Sequence, residues 1–340
     1  MDLASLAETS VQSIAAGPTG MSAAQQSLWF LNQFERGGVT YNVPFSLRLS
    51  GRVDAEALAR AFDVVQRRHP ALRCRFPGRG GQPVAQVVET TAALTRVDFS
   101  NAPDPEARVV ELESEQARAS FDLEHDAPLR ATLARVAADD YRLVATVHHI
   151  VFDGRSLQLF LDELARAYAE LADGREPDVE PLDDDLHSGP DVAPADLAAG
   201  LAHWQARLSG ASAVLPLPLD QPRPAARRFN GRRIEFDVPR DVADALREVA
   251  RARSLSMYMV GLTAFAVLLR RYTHEGDVVI GSPISNRYAI ERDDAIGYFV
   301  NTLPNRIDVS GTPTFSDVLE RVRTTVLDTF EHAYVPFEKC

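Results

Sequence analysis

The chain has 340 residues, is 45% hydrophobic and 25% charged, and sets 36 basic against 48 acidic side chains for a net charge of −12. This is ordinary globular usage with room for one large α/β domain or two medium ones, and it excludes a disordered, collagenous or coiled-coil chain. The acidic balance argues against nucleic-acid or anionic-lipid binding, the lack of a long apolar run argues against a membrane span, and two cysteines, Cys74 and Cys340, are too few for a disulfide framework or a thiolate zinc site.

Residues 1–20 are polar, rich in small side chains and without a basic-then-apolar secretory pattern, so a leader or linker in a reducing, cytoplasmic compartment is expected. Ser22-Ala23-Ala24-Gln25 has capping-box spacing, which predicts a helix over 22–35 with Leu28, Trp29 and Leu31 inward and Phe30 also in the core. Alternation of Phe45, Leu47 and Leu49 with polar residues predicts a half-buried strand at 44–50. Asp54 should cap a helix carrying Leu58, Ala61, Phe62 and Val65. Residues 141–149 form the best buried-strand candidate of this half. Ser156 should then cap a helix with Leu157, Phe160, Leu161, Leu164 and Tyr168 on one stripe, stopping at Gly174.

Prolines and the acidic run Asp183-Asp184-Asp185 mark a domain boundary, so residues 21–175 are expected to form an N-terminal lobe and 176–340 a C-terminal one. The second half predicts a short helix through Trp204, a strand at 232–238, helices at 241–252 and 256–272, strands at 277–282 and 298–308, and a helix at about 315–332. Strands alternating with helices argue for two α/β lobes.

The sharpest chemical signal is His148-His149-Ile150-Val151-Phe152-Asp153-Gly154. A shared metal ion is disfavoured because adjacent strand side chains point to opposite faces, so no metal is expected here. A serine hydrolase is disfavoured because the chain has no Gly-x-Ser-x-Gly elbow. Two readings remain: a pair of satisfied histidines at a strand end, or a general base at the mouth of a strand-to-loop turn with its neighbour packed inward. Histidine suits the second because its pKa lies near neutral pH, and the Asp153-Gly154 turn would fix the loop, glycine permitting a conformation or approach closed to other residues.

His-His-x-x-x-Asp-Gly resembles the signature of condensation domains of nonribosomal peptide synthetases and related acyltransferases. Four further segments are similar to family motifs, in family order: Ser22 to Leu31, with Ser27 where arginine is usual; Arg68 to Phe76; Ile296 to Pro304; and His332 to Glu338. The fourth motif is degraded at Leu182 to Ser188. The sequence ends at Cys340, just after the sixth motif, so the C-terminal lobe is expected to be incomplete.

The resemblance implies an α/β fold of two chloramphenicol-acetyltransferase-like lobes in a V with a central tunnel. It implies amide formation between a donor acyl thioester and an acceptor amine, each carried on the phosphopantetheine of an upstream or downstream carrier protein. An adenylation domain would be a further partner, with no cofactor bound directly and no nucleic-acid or membrane partner. It makes His149 the tunnel-facing imidazole, which either accepts a proton from the attacking amine or only positions it, and sets His148 beside it in the catalytic motif, with a structural role expected ahead of a direct one. Asp153 would pair structurally with Arg287 of the other lobe, Gly154 would offer an N–H near the developing oxyanion, and Asn301 would either reach the tunnel or cap a strand. Arg73 is expected in a salt bridge. A free-standing acyltransferase, or an inactive or recruiting domain on the same fold, are the alternatives.

Overall fold

The structure, a computed structural model, describes residues 20–35, 38–182, 192–223, 231, 233–287 and 293–340. The chain divides into two compact units, the first Met1–Asp191 with Ser285–Val300 and the second Val192–Ile284 with Asn301–Cys340. The expected boundary at 175/176 differs from this division for a physical reason. The segment after 175 is still tied to the first unit: Arg60 pairs with Glu176 at 2.6 Å, Arg68 donates to the Glu180 carbonyl at 2.8 Å, and the Leu182 amide donates to the Arg68 carbonyl at 2.9 Å.

In the first unit, helix α1 (Ala23–Phe34) starts at Ser22 with both capping-box bonds formed. Leu28 and Trp29 are buried, whereas Phe30 and Leu31, expected inward, are each 41% exposed. Strand β1 (Asn42–Ser50) alternates between half-buried and exposed positions, as its period-two pattern requires. Helix α2 (Ala55–Arg68) follows its Asp54 cap. Strand β2 (Leu94–Asp98), helix α3 (Pro105–Arg118) and strand β3 (Leu129–Ala137) come next. The sequence analysis did not single out these three elements. Strand β4 (Asp140–His148) and helix α4 (Gly154–Ala172) complete the unit.

The sheet order is β1-β4-β3-β2, with β4 antiparallel to both neighbours and β2 parallel to β3. As the central strand with helices to cover it, β4 is buried continuously from Leu143 to His148. Under the sheet an aromatic cluster locks α2 and α4 in place. Phe45 stacks on Phe152 at 6.3 Å, and Phe160 meets Phe45, Phe62 and Phe152 edge-on at 5.9, 6.0 and 6.2 Å. Helix α4 ends where expected: Gly174 adopts φ +74°, a left-handed conformation that favours glycine, and its amide donates to the Leu171 carbonyl.

The second unit contains α5 (Pro194–Leu208), α6 (Arg240–Ala252), α7 (Met257–Thr273), β5 (Asp277–Ser285), β6 (Val300–Asp308) and α8 (Phe315–Glu331). Strands β5 and β6 pair with each other. Leu262, Ala266, Val278, Ile307, Val318, Val322 and Val326 form the core between the strands, α7 and α8. The strand expected at 232–238 is absent among the described residues. Its alternation is genuine, but no neighbouring strand hydrogen-bonds to it, and Ile234 and Phe236 are 82% and 83% exposed. An extended segment becomes a strand only when its amides find a ladder. Among the described residues no single helix is long and apolar enough to cross a membrane.

Phe160 is fully buried at the centre of the aromatic cluster. Phe160→Ala is therefore expected to destabilise the first unit by about 3–5 kcal/mol, read as a lower midpoint in urea unfolding.

Candidate functional site

Strand β4 delivers His148 as its last residue, and the backbone turns at once into a single 3-10 turn, His149–Val151. The turn is held from outside. The His149 amide donates to the Tyr41 carbonyl at 2.8 Å, and the buried Gln25 side chain donates through Nε2 to the Ile150 carbonyl at 3.0 Å. Gln25 thus does two jobs, because its Oε1 simultaneously accepts from the Ser22 amide in the capping box.

The two histidines diverge sharply. His148 is 2% exposed, its Nδ1 accepts from the Ile150 amide at 3.1 Å, and its ring packs edge-on against Phe121 and tilted against Tyr41. Burial, reinforced by the neighbouring His149 ring and the Arg130 charge, holds its pKa down to about 3, so it stays neutral. His149 is half-buried. Its Nδ1 lies 2.5 Å from the Phe152 carbonyl. A carbonyl only accepts, so Nδ1 carries the hydrogen and Nε2 keeps its lone pair. Tyr298 packs edge-on against the same ring at 5.1 Å.

Behind this turn, Asp153 caps α4. Its Oδ1 accepts from the Ser156 amide and hydroxyl, both at 2.8 Å, and from Arg287 Nη2 at 2.9 Å, while Oδ2 accepts from the Phe299 amide at 3.3 Å. The side chains of Asp153 and Arg287 are only 2% and 3% exposed. Ser156, expected as the cap, instead lies inside the first turn and bridges outward: its hydroxyl accepts from the Gly297 amide, and its one hydrogen is shared between the Asp153 carboxylate and the Gly297 carbonyl, each within 2.9 Å. The cap moves to Asp153 because a carboxylate accepts from several donors and suits a helix N-terminus.

Arg287 lies in the same unit as Asp153, not in the other lobe as expected. Its guanidinium also donates to the Ala295 carbonyl at 2.6 Å and covers the Phe299 ring at 4.2 Å. The 295–299 segment has a second anchor. His69 Nδ1 accepts from the Ile296 amide, and its Nε2 meets Glu163 at 2.7 Å. Burial alone would raise the Glu163 pKa, but the hydrogen bond from His69 and the hydrogen bond and charge of Arg68 outweigh it and hold the carboxyl below its ordinary range.

Gly154 is the first residue of α4; it has no positive φ, and a Cβ built there would meet nothing within 4 Å. Neither turn strain nor crowding therefore explains this glycine, and the expectation that it serves the loop conformation is corrected. It leaves open space at a helix N-terminus.

Asn301 spends its side chain on backbone groups. It is 5% exposed, donates to the Ala333 and Val335 carbonyls at 2.8 Å each, and accepts from the Thr302 and Phe337 amides. Its amide group is fully committed to the 333–337 segment of the second unit. Among the described residues Arg73 forms no salt bridge. It donates to the Gln66, Arg67 and Val88 carbonyls, serving the end of α2. Sequence reasoning missed His69, Ser156 and the second role of Gln25 as supports of the site. Only the spare Nε2 of a capping-box glutamine offered a signal.

Breaking a buried pair strands a charge, so Asp153→Ala and Arg287→Ala should each lower stability by about 3–5 kcal/mol, measured by thermal or denaturant unfolding. His148 makes stability pH-dependent. Its folded pKa lies near 3 against 6.5 for the free side chain, so below pH 6.5 the unfolded chain takes up a proton that the folded chain refuses. Its contribution is complete above pH 6.5 and is lost as pH falls toward 3. Relative to His148→Asn, the wild-type chain should lose about 1.4 kcal/mol more per pH unit in that window, in urea titrations run at each pH.

The chain is similar to known proteins along most of its length. The chain is 38% identical over 328 residues to a linear gramicidin synthase protein of Brevibacillus parabrevis, covering 94% of this chain and 4% of that protein. It is 37% identical over 331 residues to the phosphinothricin tripeptide synthetase PhsC of Streptomyces viridochromogenes, covering 95% of this chain and 30% of that one. It therefore spans a small part of these relatives. Among solved structures it resembles the X-domain from teicoplanin biosynthesis, with a TM-score of 0.84 at 27% identity over 97% of this chain and 74% of that one. The first condensation domain of the calcium-dependent antibiotic synthetase, in complex with a substrate analogue, shares the fold at a TM-score of 0.75 and 24% identity, over 95% and 77%. The family model for the condensation domain matches residues 17–340, and with the His148–Gly154 turn in place the chain belongs to the condensation-domain family of nonribosomal peptide synthesis.

Proposed function

We propose that this chain joins a donor acyl thioester to an acceptor amine, both presented on phosphopantetheine arms of carrier domains, within a larger synthetase that also holds an adenylation domain. The observation that carries the reading is the state of His149. Its Nδ1 is committed to the Phe152 carbonyl, so the neutral form of this half-buried ring carries its lone pair on Nε2. His148, by contrast, is sealed and neutral.

The amine nitrogen attacks the thioester carbonyl carbon, the new C–N bond forms, and the C–S bond breaks to release the donor thiol. The proton lost by the amine passes to His149 Nε2 and from there to the departing thiolate, so the imidazole ends as it began. The thioester is already activated, and most of the acceleration comes from holding two reactants in line. Gly154 is the first residue of α4, where a side chain would project into open space, and its N–H stabilises the developing oxyanion. Asp153 and Arg287 act through structure: their bonds hold the helix start and the 295–299 segment, and with it Tyr298 beside the His149 ring.

The relatives named as peptide synthetases support this reading, as does the intact second histidine. The test is single-turnover condensation between two loaded carriers, followed by mass spectrometry. His149→Ala should lower amide formation by about 10²–10⁴ while the melting temperature stays at the wild-type value. Wild-type yield from that variant would overturn the role given to His149.

A further inference from the structure

Outside the His149 turn, a second cluster of ligating side chains lies in the second unit. His203 stands on α5, and Asp328 and His332 stand four residues apart at the end of α8, on one face of that helix. One donor atom from each lies within 4.8 Å of the other two. The geometry points to a binding site for one late first-row divalent ion of the zinc, cobalt or nickel kind, held by His203, Asp328 and His332.

Three observations support the assignment. First, His203 Nε2 is buried and has no hydrogen-bond partner among the described residues, although it faces Asp328 Oδ2 at 3.5 Å. That separation is too long for a good hydrogen bond. It is close to the roughly 3.4 Å that separates two donors on one tetrahedral ion with metal–ligand bonds of about 2.1 Å.

Second, the His332 tautomer is set. Its Nδ1 meets the Asp328 carbonyl at 3.0 Å, so Nδ1 donates and the other ring nitrogen keeps its lone pair. A backbone carbonyl on the non-ligating nitrogen is the usual outer support of a metal-bound imidazole. Third, the helices are registered at this point. Trp204 Nε1 donates to the His332 carbonyl at 3.2 Å, and Gly200 lies where any Cβ would run into Val335 and Tyr334.

The imidazoles of His203 and His332 are stacked, with centroids 3.6 Å apart and planes within 3°. Their lone pairs lie in those planes and run side by side, so a shared ion requires the rings to splay by a modest side-chain rotation. His203 and Asp328 are about a quarter and a third exposed, which gives an ion access from solvent and leaves further coordination positions for water. Arg207 Nε lies 3.8 Å from Asp328 Oδ2 and competes for the carboxylate, but its Nη2 is anchored on the Arg306 carbonyl and the Thr325 hydroxyl. Two imidazoles and one carboxylate favour borderline ions over calcium or magnesium, which prefer all-oxygen sites. The ion would clip the end of α8 to α5.

The test is titration of the untagged, chelator-treated chain with Co²⁺ alone, following its visible absorption band together with quenching of Trp204, whose ring lies 5.4 Å from that of His203. One saturable equivalent is expected, bound at least about tenfold more weakly by His203→Gln and by His332→Gln. Circular dichroism of each variant should match the wild type, and His125→Gln, at an exposed histidine paired with Asp122, should bind as the wild type does. Absence of a saturable equivalent, or undiminished binding by a folded His203→Gln variant, would overturn the site. Because the readout is metal binding, it is independent of the condensation assay.

Discussion

The first unit turns on one buried carboxylate. Asp153 accepts four bonds from three places in the chain: the start of its own helix, the guanidinium of Arg287 and the amide of Phe299. A charge that far from water is tolerable only when every lone pair has a donor and an opposite charge is near. The same requirement that makes the group costly makes it specific. The carboxylate thus ties the start of α4 to Arg287 and Phe299 of the 285–300 segment. That segment is remote in sequence, and this pairing is what returns it to the first unit.

The chemistry of the turn follows from that constraint. The helix begins at Gly154 because Asp153 caps it, and the backbone between β4 and the cap has room for one 3-10 turn. In that turn the Phe152 carbonyl comes within reach of His149 Nδ1 and sets its tautomer. The adjacent histidine, at the end of a central strand, is carried into an aromatic enclosure where it cannot take a proton. Two neighbouring residues of one type thus acquire opposite properties. Desolvation acts on one, and a carbonyl orients the other.

The support extends beyond the signature. Gln25, His69 and Ser156 are all fully buried, and each connects a helix to a backbone segment far along the chain. None of them ligates or reacts. They limit the freedom of the backbone around the His149 ring. Asn301 performs the same service in the second unit, where its amide fastens the 333–337 segment.

Local rules were enough to determine most helices, the buried strand β4 and the turn that carries His149. Caps, apolar stripes and period-two alternation act over a few residues, so they are legible without a fold. The resemblance in motif order supplied the family and the Asp153–Arg287 pairing. Tertiary structure decided the rest. The alternating pattern of residues 233–238 became no strand because a ladder needs a neighbour that no local pattern supplies. Phe30 and Leu31 turned outward although the helix around them formed as expected. The cap passed from Ser156 to Asp153 because the donors that reward a carboxylate arrive from residues 287 and 299. Likewise, His203 meets Asp328 and His332 only after two helices have packed. Burial and partner choice depend on contacts distant along the chain, and these exist only once the chain has folded.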